Sequence, residues 1–337
     1  NVVNVLQEVG YSDTLLVISA MGKITNAMER VVESYFNDKN AVSGSIQEVI
    51  DYHNQILSDL FQNPNHPVYT KVKILFDEVK GFLAWNKSPK YSFVYDQVVC
   101  YGELLSTTIV SAYLNEVGIS NTWLDVRTMI KTDTNYRDFL GSDDNNFTTT
   151  LGREGSDYSA AILAFCLNAE SVTIWKDVPG VLNADPRNFE NAQLLDKISY
   201  REAIELAFYG ASVIHPKTLQ PLQRKEIPLK VKSFVNPKCK GTTVGKGNGI
   251  EPKVPCFIVK KNQVLLKLSS LDFSFIVEDN ISEIFKLFHD HRLKVDLIQN
   301  SAISFSVCLD NKFRGLPPLL EELKRKFKVV CHEDVSL

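Results

Sequence analysis

The stretch TTTLGREGSDYSAAILAF, residues 148–165, joins a short polar run to an apolar helical pattern. Arg153 lies between two glycines directly before this pattern, and Ser156 and Asp157 open it. The free backbone N–H groups at the start of a helix favour an anion, and an arginine beside them adds a full positive charge. Ser156 or Asp157 alone could equally be an ordinary helix cap. Taken together, these residues predict an anion-binding turn at the beginning of a helix.

Short apolar runs alternate with helical patterns on both sides of this turn. The run TLLVISAMG (residues 14–22) predicts a strand that leads into a helix. Further strands are predicted at ISNTWLDVRTMI (119–130), SVTIWKDVPGV (171–181) and IPLKVKSF (227–234), and one long helical stretch covers residues 91–118. Strands that alternate with helices imply an α/β fold of three layers (αβα), with a mainly parallel sheet covered on both faces.

A second domain is predicted near the end of the chain. Residues 236–262 are rich in Gly, Lys and Pro and are interpreted as a linker between a domain at 1–235 and another at 263–337. The last 75 residues have the order strand, helix, strand, strand, helix, strand, which is the ferredoxin-like α+β arrangement. Because this part has no cluster of catalytic residue types, it is predicted to bind or regulate.

Composition excludes several classes of protein. With 37 basic and 40 acidic side chains the net charge is −3, which predicts no broad cationic face and no nucleic-acid partner. No apolar run reaches the length of a membrane span, so no membrane is expected. The six cysteines have neither C-x-x-C nor zinc-like spacing, so we predict no metal site and a reducing, cytoplasmic location.

Ligands of open α/β sheets bind beyond the carboxyl ends of the strands. Four turns of this kind carry small, polar or charged residues: SAMGKITN (19–26), GREGSD (152–157), WKDVPGVLNADPR (175–187) and YGASVIHPKT (209–218). Singly, most have an ordinary interpretation: Asp-Pro-Arg is a common turn, His215 a packed histidine and Glu103 a solvated helix residue. Together they favour a site that handles phosphate.

Further motifs accompany these turns: YGELLST (101–107), DVRTMIKTD (125–133), ISYREAIELAFYGASVIHPKT (198–218) and GTTV (241–244). Together they occur in the order found in the aspartate kinases, which the chain resembles over nearly its whole length. GREGSDYSAA and DVPGVLNADPR are specific to that family among amino-acid kinases. The C-terminal part resembles the family's ACT regulatory domain, and LKVDLIQNS (293–301) is similar to the effector-binding strand of lysine-sensitive members.

The resemblance implies transfer of the γ-phosphoryl group of ATP, with Mg²⁺, to the β-carboxylate of L-aspartate. A carboxylate with a pKa of about 3.9 is ionised at neutral pH, so the reaction needs no general base. Bringing two anions together requires cations, helix N-termini and Mg²⁺ instead. A histidine-based catalytic pair is therefore not expected.

The same resemblance assigns residues to three sites. The expected aspartate site consists of Ser19, Thr25, Glu103, Arg153, Ser156 and Asp157, of which Arg153 and Asp157 are the expected catalytic residues. The expected ATP site consists of Lys176, Asp177, Leu182, Asp185, Arg187, Ser212, Val213 and Lys217. The expected effector site consists of Ile281, Val295 and Asp296, with lysine as the effector, threonine as the alternative and a homodimer formed through the ACT domains.

The chain departs from the family pattern in ways that leave alternatives open. A strand with a Lys-Phe-Gly-Gly turn is expected before residue 1, a helix and a strand between Asp138 and Phe139, and a second ACT domain after residue 337. Ser212 stands where a nucleotide-binding lysine is expected, and Lys217 is the possible substitute. One alternative is a regulatory subunit without catalytic activity. The other is a kinase of the same fold that acts on another acidic amino acid.

Overall fold

The computed structural model describes residues 1–131, 141–142, 147–149, 155–211, 213–272, 274–291, 293–310 and 315–337. The chain forms two compact units. The first unit comprises Asn1–Gly180 and His215–Gly247, and the second comprises Val181–Ile214 and Asn248–Leu337.

Helices and strands are numbered along the chain. The helices are α1 (Val2–Val9), α2 (Ile24–Asn37), α3 (Val42–Leu60), α4 (Pro67–Trp85), α5 (Tyr91–Val99), α6 (Tyr101–Glu116), α7 (Gly155–Leu167), α8 (Tyr200–Tyr209), α9 (Pro216–Arg224), α10 (Glu278–Asp290) and α11 (Leu316–Leu323). The strands are β1 (Gly141–Ser142), β2 (Thr148–Thr149), β3 (Val172–Lys176), β4 (Lys197–Ser199), β5 (Leu229–Ser233), β6 (Thr242–Gly245), β7 (Ile250–Glu251), β8 (Gln263–Ser270), β9 (Lys294–Asn300), β10 (Ser304–Asp310) and β11 (Phe327–Val335).

Helices α2 to α6 of the first unit share one apolar core. Helix α2 contributes a face with helical spacing, on which Ile24, Met28 and Val31 are buried. Helix α4 begins at Pro67, after His66 has capped it by accepting a hydrogen bond from the backbone N–H of Val68. The predicted helical stretch over residues 91–118 is helical over 91–99 and 101–116, and it is divided into α5 and α6, which meet at the buried Cys100.

The sheet of the first unit confirms the predicted strands at 171–181 and 227–234. Strand β3 pairs in parallel with β5, from Val172 opposite Leu229 to Lys176 opposite Ser233. Strand β6 pairs antiparallel with β5, and α7 packs against both α9 and β3. The carboxyl ends of β3 and β5 therefore lie side by side, and the predicted α/β class is confirmed.

The predictions of strands at residues 14–22 and 119–130 are wrong. Residues 15–18 and 122–124 form no backbone hydrogen bond with any residue that the structure describes, and residues 126–128 form a turn of 3₁₀ helix. A strand exists only where a neighbouring strand takes up its backbone N–H and C=O groups. These segments have the apolar composition of strands but have no such neighbour in the described parts of the chain.

The second unit contains the predicted ferredoxin-like order of β8, α10, β9, β10, α11 and β11, which is confirmed. Its antiparallel sheet has the strand order β11-β8-β10-β9, so β9 and β11 are the edge strands. Side chains of α10 and α11 pack on one face of this sheet, with Leu266, Ile284 and Leu319 fully buried. In the same unit β4 pairs with β7, and α8 follows β4 directly.

Within the described residues, every helix is too short or too polar to span a lipid bilayer.

Candidate functional site

A cavity of about 810 Å³ in the first unit collects four of the residues predicted to bind substrate. Ser19 lies in the loop before α2, Thr25 in the first turn of α2, Glu103 in the first turn of α6 and Ser156 in the first turn of α7. Such a volume is in the range of small-molecule sites. Three helix beginnings and one loop therefore meet at a single cavity.

Asp125, one carboxylate that lines this cavity, is paired with Arg127 at 2.6 Å, and Glu103 supplies the other negative charge. Burial raises the pKa of its carboxyl group, and the backbone N–H groups of Glu103 and Ala20 partly offset this by stabilising the charged form. A carboxylate that is short of solvation gains free energy when a cation approaches it. Glu103 is therefore suited to receive an ammonium group.

The beginning of α7 supplies the opposite polarity. The helix starts at Gly155, so Ser156 and Asp157 stand in its first turn, where free backbone N–H groups favour anions. The carboxylate of Asp157 lies 3.0 Å from the ammonium of Lys176 at the end of β3, and both side chains are mostly buried. Arg153, the other predicted catalytic residue, lies outside the described residues.

Sequence analysis missed three residues that line the cavity: Lys23, Thr107 and Trp123. Lys23 follows Gly22 in the same turn as Ser19, and this adjacency was the available signal. The indole Nε1 of Trp123 donates a hydrogen bond to Thr107 Oγ1 at 3.0 Å. No sequence signal joins these two residues, because they belong to different segments.

Three residues predicted to bind ATP also lie in the first unit. Lys176 is the last residue of β3, and Asp177 follows it in an exposed position. Lys217 is exposed in the first turn of α9, where its backbone N–H donates to the Nδ1 atom of His215. His215 is thus a helix cap. Ser212 lies outside the described residues.

The remaining residues predicted to bind ATP lie in the second unit. Asp185 and Arg187 bind each other through two oxygens and two nitrogens, and the shortest contact is 2.8 Å. The Arg187 guanidinium lowers the pKa of the Asp185 carboxyl group, mainly through this hydrogen bonding. Leu182 forms a β-bridge with Leu194, and Val213 is half-buried. Asp-Pro-Arg therefore forms a self-contained turn, the ordinary interpretation that the sequence left open.

Asp296, one of the residues predicted to bind an effector, belongs to a buried ionic cluster in the second unit. Asp296 on β9 and Asp310 at the end of β10 have side chains only 4% and 10% exposed, and Lys260 contacts both carboxylates. Asp296 is therefore a buried member of an ionic cluster and not a solvated residue at a strand end. Val295 and Ile281 are partly buried against the apolar core. The chain's own Lys260 thus already supplies an ammonium group to Asp296.

Among the described residues, no three His, Cys, Asp or Glu side chains are grouped so that they could hold a metal ion. Asp157 is the carboxylate in the first turn of α7, next in sequence to the cavity-lining Ser156. Mg²⁺ in nucleotide sites usually takes one or two protein carboxylates and completes its coordination with phosphate oxygens and water. The residues present fit that mode of binding better than a cage made by protein alone.

Comparison with known proteins relates the chain to one family. The model of the amino acid kinase family matches residues 1–233. The chain is 30% identical to lysine-sensitive aspartokinase 3 of Escherichia coli (strain K12), an alignment that covers 96% of this chain and 78% of that protein. It spans a smaller share of the plant relatives, such as 38% of bifunctional aspartokinase/homoserine dehydrogenase 2 of Zea mays, to which it is 27% identical.

The fold is similar to that of solved structures of E. coli aspartokinase III. The complex with aspartate and ADP (R-state) superposes with a TM-score of 0.81 at 29% identity, over 99% of this chain and 82% of that one. The complex with lysine and aspartate (T-state) gives a TM-score of 0.79 at 30% identity, with the same coverage.

Proposed function

We propose that this chain, which belongs to the amino acid kinase family and within it to the aspartokinases, transfers the γ-phosphoryl group of ATP to the β-carboxylate of L-aspartate. The single observation that carries this proposal is the cavity of the first unit, where the buried carboxylate of Glu103 and the N-terminus of α7 provide opposite polarities. Aspartate, which has one ammonium group and two carboxylates, suits such a pairing. The similarity to an aspartokinase bound to aspartate and ADP supports the same choice of substrates.

Each end of aspartate has a partner in this proposal. Glu103 receives the α-ammonium group, and Ser19 and Thr25 donate hydrogen bonds to the substrate from the facing loop and helix. The backbone N–H groups around Ser156 receive a carboxylate. Arg153 adds a bidentate contact to a substrate carboxylate.

Phosphoryl transfer then requires only positioning and charge. An oxygen of the β-carboxylate attacks the γ-phosphorus, the bond from phosphorus to the bridging oxygen of ADP breaks, and an acyl phosphate forms. Lys176, held by Asp157, neutralises negative charge that develops on the transferring group. Asp177 and Lys217 contribute to nucleotide binding. Mg²⁺, when it is bound to the phosphates of ATP, supplies further neutralisation.

The experiment is an assay of the purified protein with ATP, Mg²⁺ and one acidic amino acid at a time. Release of ADP is followed together with trapping of the acyl phosphate by hydroxylamine, which converts it to a hydroxamate. We expect both signals with L-aspartate and neither with L-glutamate. Turnover of glutamate instead would favour a kinase for another acidic amino acid, and no turnover with any of them would favour a regulatory subunit.

The pH dependence of aspartate binding tests the role of Glu103. The free carboxyl group has a pKa raised above its ordinary value of 4.5 by burial, whereas the ammonium group of bound aspartate favours the ionised form. A proton and the substrate therefore compete, and KM for aspartate should rise as the pH falls towards and below this raised pKa, while KM for ATP changes less. Glu103→Gln should raise KM and flatten this profile. An unchanged profile would exclude Glu103 from the substrate site.

We also propose that the second unit binds lysine as an inhibitor, with threonine as the less favoured alternative. Support comes from the similarity to the E. coli enzyme in complex with lysine and aspartate and from the buried carboxylate of Asp296. Because Lys260 already contacts Asp296, the ammonium group of the effector has to displace the Lys260 side chain or share the Asp296 carboxylate with it. Glu278 and Asp279 in the first turn of α10 would repel the effector carboxylate there, so we place it away from these side chains.

Asp296→Ala should abolish inhibition by lysine while activity without lysine persists, because it removes the carboxylate proposed to bind the effector. The coupling free energy between an effector site and a substrate site is typically about 1–3 kcal/mol. Kinase activity is titrated with lysine and with threonine for both proteins. Asp290→Ala, an exposed change at the end of α10, is the matched control. Inhibition that survives Asp296→Ala unchanged would place the effector elsewhere.

A homodimer through this unit is part of the proposal. Strand β9 is an edge of the sheet and contains the exposed Leu297 and Ile298. Edge strands with apolar side chains are ready to pair with another strand. A second copy of the same edge is the partner that symmetry favours.

A further inference from the structure

The hydroxyl of Ser106 joins the two elements that carry Ser19 and Glu103. Ser106 is fully buried in the second turn of α6. Its Oγ atom lies 2.7 Å from the carbonyl oxygen of Ser19 and 3.1 Å from that of Glu103, so its single proton is directed at these two acceptors. The hydrogen bond to Ser19 crosses from the helix to the loop.

Two neighbouring positions of α6 bring the loop equally close. A Cβ atom at Gly102 would lie 3.1 Å from the Cβ of Ala20, which is tighter than an ordinary contact, so glycine permits this approach. The backbone N–H of Ala20 faces the carboxylate of Glu103. Gly102, Glu103 and Ser106 thus form one helix face that is packed directly on the backbone of residues 19–20.

We propose that Ser106 is a positioning residue of the aspartate site, whose hydroxyl sets the distance between Ser19 and Glu103 by holding the loop against α6. This inference rests on the proposed function, because it assumes that these two residues bind aspartate. Without the hydroxyl, the carbonyl group of Ser19 loses its partner, and the loop shifts to find solvent. The site for the ammonium end of aspartate then widens, although no atom of Ser106 touches the substrate.

Ser106→Ala is expected to raise KM for aspartate about tenfold, in line with the loss of one buried hydrogen bond. KM for ATP should stay within about twofold, since Lys176 ends β3 and Asp177 follows it, so that neither residue lies on this loop. Gly102→Ala perturbs the same contact by steric pressure and should raise KM for aspartate as well. Ser34→Ala is the matched control. It removes the hydroxyl of the half-buried Ser34 in α2, which lies 3.0 Å from the hydroxyl of Ser45 in α3, and neither residue belongs to the loop.

A second measurement separates this inference from the kinase proposal. The increase in Tm caused by aspartate, without ATP, should be smaller for Ser106→Ala than for the wild type and for Ser34→Ala. An equal increase together with an unchanged KM would overturn the positioning role, even where the variant is less stable. A wild type that is stabilised by aspartate but has no ATP turnover would reject the kinase proposal alone, and the Tm comparison would still decide the role of Ser106. A wild type that is not stabilised by aspartate and has no ATP turnover would overturn both the kinase proposal and the positioning role of Ser106.

Discussion

Asp157→Asn is expected to lower kcat/KM about 1000-fold, the largest effect that we expect of any single substitution in this chain. Asp157 and Lys176 approach to 3.0 Å with side chains 16% and 24% exposed, so water screens their attraction only weakly. Removing one partner of a mostly buried charge pair costs about 2–5 kcal/mol, and here the remaining lysine also loses the partner that holds it in its proposed position beside the transferring phosphoryl group. The measurement is steady-state kinetics for aspartate and for ATP.

Two further variants make the result specific to this ion pair. The double variant with Lys176→Met and Asp157→Asn should have a kcat/KM little lower than that of either single variant. The reason is that the effects of substitutions in residues that act as a unit are not additive. Glu226→Gln is the control: Glu226 and Lys246 lie 2.8 Å apart but are 57% and 75% exposed, so we expect no change in kinetics. A kcat/KM for Asp157→Asn within about threefold of the wild type would remove this pair from the mechanism.

Lys260→Met is expected to destabilise the second unit by about 3 kcal/mol, the largest effect on stability that we expect. The change removes the cation that contacts the buried carboxylates of Asp296 and Asp310. Lys294, whose Nζ atom is 3.9 Å from Asp296, is more than half exposed and cannot compensate. Breaking a buried pair by removing one partner typically costs about 3–5 kcal/mol, and the 21% exposure of Lys260 places this case at the lower end.

Amide hydrogen exchange, resolved by peptide and read by mass spectrometry, is the suitable measurement. All three tryptophans, Trp85, Trp123 and Trp175, belong to the first unit, so their fluorescence reports on the other part of the chain. Exchange in β9 and β10 should become about 100-fold faster, which corresponds to about 3 kcal/mol. The exposed Lys246→Met is the control, and an equal, small change in both variants would contradict a structural role for the cluster.

The helix start at Gly155 and the order of elements in the second unit were predictable because both follow from local patterns. Glycines, a serine and an aspartate before an apolar helical run define a helix N-terminus whatever surrounds it. Strand β8, helix α10 and strand β9 each carry their own periodicity, and the order of such elements restricts the possible packings. For the same reason the turn formed by Asp185 and Arg187 could be anticipated from the tripeptide.

The strands expected at residues 14–22 and 119–130 show where local patterns fail. Apolar, β-branched composition states only that a segment would suit a sheet. Whether it becomes a strand depends on a neighbour that accepts its backbone hydrogen bonds, and that neighbour is set by the rest of the chain. The same limit hid Trp123 and Thr107, which meet at the cavity from separate segments.

The amino-acid sequence by itself determined which residue types stand at each turn and therefore the family, the glycine and polar residues that begin α7 and the acidic residue in β9. Only the tertiary structure decided that Asp157 reaches Lys176, that Ser106 joins the Ser19 loop to α6, and that Lys260 contacts Asp296. Each of these contacts joins side chains that are distant along the chain. Their strength depends on burial, which weakens screening by water and makes an unpaired group costly, and burial is a property of the packed molecule.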